Sequence, residues 1–107
     1  MSKSKDQKVY MPLMVGDWYS PNTYSENFKP IPETSGVYYF DNLEGEVLYV
    51  GSAKNLRTRY KGHEVKRLLN RVFRYVYFHF METADYKHVE VSLIKSLRPK
   101  YNFQHNG

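Results

Sequence analysis

Two short runs of β-branched and aromatic residues, separated by turn-forming residues, most constrain how this chain folds. The first run covers residues 37–40 (VYYF), the turn residues DNLEG occupy positions 41–45, and the second run covers residues 47–50 (VLYV). β-Branched and aromatic residues favour extended backbone, and the asparagine and glycine between the two runs favour a tight connection. The pattern therefore predicts a β-hairpin.

Two helices are predicted after this hairpin. Ser52 is placed to cap the first helix, which runs from residue 53 to about residue 62 and is followed by a polar segment. Thr83 is placed to cap the second helix, which covers residues 84–97. Its apolar stripe comprises Tyr86, Val89, Leu93, Ile94 and Leu97. A stripe of this width predicts a helix that packs against a sheet.

A third aromatic run, residues 72–80, lies between the two predicted helices and has the composition and length of a central strand. Pro99 ends the last helix, and residues 100–103 are expected to be extended. The resulting order, β-β-α-β-α, predicts the α+β class. We expect a small central three-stranded antiparallel sheet flanked by helices.

Residues 1–33 contain four prolines and show no sustained period of two or 3.6, so they are predicted to form an irregular N-terminal arm. The apolar members of the arm are too numerous for a disordered tail, and part of it is expected to pack on the domain formed by residues 34–107. These apolar members are Tyr10, Leu13, Met14, Trp18, Tyr19 and Phe28.

The composition narrows the classes of function. With 107 residues the chain is expected to form one domain, and its net charge of +5 favours a polyanionic partner. The absence of cysteine excludes disulfides, thiolate zinc sites and a cysteine nucleophile. No apolar run approaches a membrane span, and no secretory signal is visible at the N-terminus. We therefore expect no membrane association and a cytoplasmic location.

Glu90 lies inside the apolar stripe of the last predicted helix, between Tyr86, Leu93 and Ile94. A carboxylate directed toward a core is costly unless it finds a partner, becomes protonated or binds a cation. From the residues alone, two readings stay open. In the first, Glu90 lies at the edge of the stripe, extends its carboxylate to solvent, or pairs with Arg59 or Lys54. In the second, it binds a metal ion.

Several motifs in one order resemble the GIY-YIG nuclease superfamily, and in particular the incision module of the bacterial excision-repair nuclease and phage homing endonucleases. The paired tripeptides are GVY at residues 36–38 and YVG at 49–51, followed by SAKNLRTR at 52–59, by Glu90 with LIK at 93–95, and by PKYN at 99–102. The resemblance covers about residues 35–103. It implies a GIY-YIG-like nuclease domain in residues 34–107.

The resemblance implies a role for each matching residue. Glu90 would bind one Mg²⁺ or Mn²⁺, Arg59 would bind the scissile phosphate, and Tyr38 and Tyr49 would orient or deprotonate the attacking water. Asn102 would maintain the geometry of the site by hydrogen bonds. The chemistry is consistent, because phosphodiester hydrolysis needs a base and positive charge at the phosphate.

Other positions match the family less completely. His63 corresponds to a histidine of some homing enzymes, although a solvated histidine at a helix end is the alternative. Ser52 stands where repair members carry a lysine, and Lys54 could serve instead. Lys54, Arg57 and Lys61 are the expected DNA contacts.

The sequence thus predicts a metal-dependent DNA endonuclease with a single-metal mechanism, active in DNA repair or phage DNA processing. The alternative is a nucleic-acid-binding module on the same scaffold that does not cut. No helix-turn-helix or zinc finger is recognisable in the sequence. Three alternatives therefore stay open: the module cuts with loose preference, depends on a partner protein that supplies specificity, or forms a homodimer.

Overall fold

The computed structural model describes residues 16–104, which form a three-stranded antiparallel sheet with flanking helices. The elements are β1 (Gly36–Asn42), β2 (Val47–Ala53), α1 (Leu56–Lys61), α2 (Glu64–Val72), β3 (Val76–Glu82), α3 (Tyr86–Leu97) and α4 (Lys100–Gln104). The predicted α+β class is confirmed. The strand order is β2-β1-β3, so β1 is central and the third strand, predicted to be central, lies at an edge.

The predicted hairpin is confirmed. The side-chain oxygen of Asn42 accepts the backbone N–H groups of Glu44 and Glu46, and Gly45 has the positive φ of 86° that favours glycine. The register places Tyr38 opposite Gly51 and Phe40 opposite Tyr49, with an irregularity after Phe40. Tyr38 and Tyr49 therefore lie on the same face of the sheet.

Both predicted helix caps were wrong by two or three residues. β2 continues through Ser52 to Ala53 because it pairs with β1 up to Gly36, and this pairing outweighs the capping preference of serine. Asn55 caps α1 instead, since its side chain accepts the N–H of Thr58. The cap position of α3 is Asp85 rather than Thr83.

Two helices were missed. The polar segment after α1 forms α2, which buries Val65 and Leu69 one turn apart. Residues 100–104 form α4 rather than an extended segment, because Arg98 takes a left-handed conformation (φ 49°) that ends α3 and redirects the chain before Pro99. No helix within residues 16–104 has the length and apolar character needed to cross a bilayer.

Each face of the sheet carries its own core. Tyr38 and Phe40 of β1 face α1, α2 and α4, where they meet Leu56, Leu69 and Tyr101. The alternate residues, including Val37 and Tyr39, face α3. The predicted apolar stripe of α3 is confirmed, because Tyr86, Val89, Leu93, Ile94 and Leu97 all pack against this second core.

The described part of the arm, residues 16–33, closes the outer edge of β3. Tyr19 and Phe80 exchange two backbone hydrogen bonds of 2.9 Å, and Trp18 packs edge-on against Tyr39. Phe28, by contrast, is 44% exposed. The remaining apolar residues of the predicted arm, Tyr10, Leu13 and Met14, lie outside the described residues.

Candidate active site

The two glycine-tyrosine tripeptides are joined by a close contact across the hairpin. The ring of Tyr38 lies against Gly51, and a Cβ atom at Gly51 would overlap the hydroxyl and the ring of Tyr38. A Cβ atom at Gly36 would overlap the backbone carbonyl of Met81 on β3. Both glycines are therefore required by close packing, and the tyrosine and glycine of the two motifs form one structural unit.

The hydroxyl of Tyr38 lies 2.6 Å from Nε2 of His63, which is buried. The other ring nitrogen of His63, Nδ1, accepts the backbone N–H groups of Val65 and Lys66 and thereby caps α2. An accepting Nδ1 carries no hydrogen, so the ring proton lies on Nε2, which donates to the Tyr38 oxygen. The alternative of a solvated helix-end histidine is wrong: His63 is a buried N-cap bonded to Tyr38.

Arg59 and Glu90 both lie within electrostatic reach of Tyr38 and Tyr49. Burial raises the pKa of Tyr38 well above its usual value, the neighbouring Tyr49 and Glu90 raise this pKa further, and the charge of Arg59 opposes the rise. Burial and Glu90 likewise raise the pKa of Tyr49, again against Arg59. The positive charge of Arg59 therefore does not lower either phenol pKa below its usual range, because burial outweighs it.

Exposure distinguishes the two tyrosines. Tyr38 has 0% of its surface exposed, whereas Tyr49 is only partly buried and lines a cleft of about 300 Å³ with Arg59 and His63. Tyr49 can contact a bound molecule directly. Tyr38 can act only through its neighbours.

Arg59 is exposed and lies between two clefts, because it lines both. The second cleft has a volume of about 490 Å³ and is also lined by Ser52, Lys54 and Lys87. Within residues 16–104, Arg59 forms no ion pair with a carboxylate. Its guanidinium group can therefore bind an anion that enters either cleft.

Glu90, on α3, is half-buried, and its Oε1 accepts a hydrogen bond of 2.5 Å from the Ser52 hydroxyl. In the described part of the chain it forms no ion pair with Arg59 or Lys54, so the predicted alternative of such a pair is not what the structure shows. Oε2 accepts no hydrogen bond from residues 16–104. A carboxylate oxygen of this kind is the type of ligand that Mg²⁺ or Mn²⁺ prefers.

Asn102 lies on α4 and is 5% exposed. Its side-chain amide donates to the carbonyl of Val50 and accepts the Val50 N–H, both at 2.8 Å. The amide thus takes the place of a neighbouring strand at the outer edge of β2. This contact fixes the strand on which Tyr49 and Gly51 lie.

The three expected DNA contacts have different surroundings. Lys54 is exposed and lines the larger cleft, and Lys61 is exposed but lines neither cleft. Arg57 turns toward the arm, where it donates to the Ile31 carbonyl at 3.0 Å and to the Glu33 carboxylate at 3.1 Å. Arg57 is thus engaged within the protein.

Two features were not predicted from the sequence. One is the presence of Lys87 at the larger cleft, and the other is the hydrogen bond from the Ser52 hydroxyl to Glu90. Lys87 precedes Glu90 by three positions on α3, so its place on the same side of the helix could have been read from the helical period. The contact of Ser52 depends on how β2 meets α3, which no local pattern reveals. Both residues line the larger cleft.

Comparison with known proteins places this geometry in context. The family model described as the UvrC-like GIY-YIG domain matches residues 34–103. The UvrABC system protein C of Campylobacter jejuni subsp. jejuni (strain 81-176) is 37% identical in an alignment of 89 residues, gaps included, and the match covers 69% of this chain. That of Gloeobacter violaceus is 32% identical in an alignment of 101 residues, and the match covers 86% of this chain. The chain spans only 15% and 16% of the length of these two curated relatives.

A solved structure has the same fold. It is the N-terminal GIY-YIG endonuclease domain of UvrC from Thermotoga maritima, a point mutant bound to its catalytic divalent cation. The two chains are 32% identical with a TM-score of 0.50, and the match covers 66% of this chain and 84% of that chain.

Proposed function

Because the chain belongs to the family of UvrC-like GIY-YIG endonuclease domains, we propose that it cuts DNA by hydrolysing phosphodiester bonds with a single divalent cation. One observation carries the proposal. Tyr49 and Arg59 line one open cleft, and Glu90, from another helix, lies near enough to Tyr38 and Tyr49 to raise the pKa of both. The cation-bound structure of a similar endonuclease domain supports the need for a metal ion.

Arg59 binds the scissile phosphate in this proposal. Hydrolysis builds negative charge on the phosphate oxygens, and a planar guanidinium group can donate to two of them at once. The position of Arg59 between the two clefts lets a DNA strand pass over it from one cleft to the other. Lys54 and Lys87, which flank the larger cleft, contact the backbone on that side.

Tyr49 orients the attacking water and accepts its proton in this proposal, because Tyr49 lines the cleft together with Arg59. Its pKa is raised, so at neutral pH the phenol is protonated and only a small fraction is ready to act as a base. Tyr38 is a positioning residue that links His63 to the site. Asn102 has the same kind of role, because it acts on the backbone of β2.

Glu90 holds the cation. Within residues 16–104 no group of three or more histidine or acidic side chains could bind a metal ion, so Glu90 would be the protein ligand, and waters and phosphate oxygens would supply the others. When bound, Mg²⁺ or Mn²⁺ supplies positive charge at the phosphate that is cut. A second copy of the chain or a partner protein selects the DNA, in line with relatives named as components of the UvrABC system.

The proposal is tested by incubating supercoiled plasmid with the protein and Mg²⁺ or Mn²⁺. We expect nicking by the unmodified protein and none by Glu90→Gln or Arg59→Ala, with circular dichroism confirming that both variants fold. Glu26→Gln, which changes an exposed glutamate of the arm, is the matched control and should cut normally. Cutting by Glu90→Gln would refute the metal assignment. Tight DNA binding without cutting under either metal would establish the non-catalytic alternative.

A further inference from the structure

Ser52 stands opposite Val37 in the hairpin, and its side chain therefore points to the face of the sheet that α3 covers. There its hydroxyl donates to Oε1 of Glu90 at 2.5 Å. No other described residue donates a hydrogen bond to this carboxylate. A serine on a paired strand is thus the one group within residues 16–104 that fixes the direction of the Glu90 side chain.

The contact has the properties of a strong hydrogen bond. A hydrogen bond of about 2.5 to 2.7 Å from an O–H group to a carboxylate is about twice as strong as a hydrogen bond between neutral groups. Glutamate has three rotatable side-chain bonds, and a half-buried glutamate without a donor would sample several directions. The backbone of Ser52 is held by the pairing of β2 with β1. The hydroxyl therefore transfers the rigidity of the sheet to the carboxylate.

We propose that Ser52 is a positioning residue for the metal-binding carboxylate: it holds Oε1 of Glu90 and leaves Oε2 for the cation. The proposal rests on the metal-dependent function proposed above. A hydroxyl orients the carboxylate without adding a positive charge. The negative charge of Glu90 thus stays available to the cation. An ammonium group in place of the hydroxyl would partly neutralise that negative charge.

The effect of Ser52 is measured as Mn²⁺ affinity, by titration of the protein with Mn²⁺ alone and detection of free Mn²⁺ by electron paramagnetic resonance. Partners of this kind alter metal affinity by about 10- to 100-fold, so Ser52→Ala should weaken Mn²⁺ binding by about tenfold or more. Ser52→Thr keeps the hydroxyl and should restore affinity to within about threefold of the unmodified protein. Ser92→Ala, an exposed serine on α3, is the matched control and should bind normally.

Ser52→Cys keeps the unbranched shape of serine with a somewhat larger atom and offers only a weak S–H donor. It replaces the alanine variant if that variant does not fold. We expect the cysteine variant to lose several-fold in Mn²⁺ affinity. Unchanged affinity in Ser52→Ala or Ser52→Cys, together with lost binding in Glu90→Gln, would overturn the role of Ser52 and leave the proposed function intact. Absence of Mn²⁺ binding by the unmodified protein would overturn both.

Discussion

Tyr38 and Tyr39 are neighbours in β1, both are fully buried, and they point to opposite faces of the sheet. Burial raises the pKa of both phenols. The hydroxyl of Tyr38 is bonded to His63 and lies near the charge of Arg59. The hydroxyl of Tyr39 has no hydrogen-bond partner within residues 16–104. Burial and a raised pKa therefore do not distinguish the two tyrosines. Only the polar groups around the hydroxyl of Tyr38 indicate that Tyr38 belongs to a site.

The surroundings of Tyr39 are those of a packing residue. Its ring stacks on His79 with centroids 4.5 Å apart and meets Trp18 edge-on at 4.9 Å. The nearby carboxylate of Asp41 pairs with His79 and raises the pKa of Tyr39 further. Among residues 16–104, no cation lowers the pKa of Tyr39, in contrast to the influence of Arg59 on Tyr38. This comparison makes predictions that differ between the two faces.

The largest effect is expected from Tyr49→Phe, which changes the face of the sheet to which Tyr38 points. Loss of a proton acceptor slows a reaction by about 10²- to 10⁴-fold, so plasmid nicking should fall by that range while thermal stability stays close to that of the unmodified protein. Rates measured between pH 7 and 9 should rise with pH for the unmodified protein, because the pKa of Tyr49 is raised. If Tyr49→Phe keeps both the rate and this rise, Tyr49 is not the acceptor.

Asn102→Ala should give the next largest effect, this time on stability. The change leaves the N–H and the carbonyl of Val50 without their partner at a buried edge, at about 1–3 kcal/mol for each unsatisfied group. Urea unfolding should show a loss in this range, and nicking should fall as well because β2 carries Tyr49. Asn22→Ala, an exposed asparagine of the arm, is the control. Equal stability of the two variants would contradict the strand-like role of Asn102.

Tyr38→Phe should have a smaller effect that combines stability and rate. The buried Nε2–H of His63 would lose its acceptor, at about 1–3 kcal/mol in the free energy of unfolding. Displacement of positioning groups can cost about 10²-fold in rate, and nicking should slow by up to that factor. A Tyr38→Phe variant as stable and as active as the unmodified protein would remove the distinction between the two tyrosines.

The contrast between the tyrosines also shows what the sequence could reveal. The hairpin and the apolar stripe of α3 follow from local patterns. The glycines and tyrosines of the paired tripeptides could likewise be recognised from their order along the chain. The capping error at Ser52 arose because strand pairing with Gly36, far away in sequence, extends β2. The α2 helix was predictable, because Val65, Leu68, Leu69 and Val72 recur at the helical spacings of three and four. The prediction of a polar segment gave the charged residues between them more weight than this period.

The interactions that distinguish the site are between elements, and no local pattern reports them. The bond between Ser52 and Glu90 depends on the position of α3 against β2. The pairing of Arg57 with Glu33 depends on the path of the arm. The tautomer of His63 follows only once the start of α2 is known.

Tyr39→Phe should have the smallest effect on nicking, and it should raise stability, whereas Asn102→Ala and Tyr38→Phe lower it. Removal of a buried hydroxyl without a partner relieves a penalty of about 1 kcal/mol or more, so the variant should be more stable at pH 7. The folded-state pKa of Tyr39 is raised above the ordinary value of 10.0, so its contribution to stability is complete below pH 10 and falls as pH rises above it. Tyr39→Phe should therefore lose less stability than the unmodified protein between pH 9 and 11. Tyr24→Phe, a tyrosine that is 94% exposed, is the matched control. A destabilised Tyr39→Phe variant would show that the hydroxyl has a partner after all, and the contrast with Tyr38 would then be one of degree.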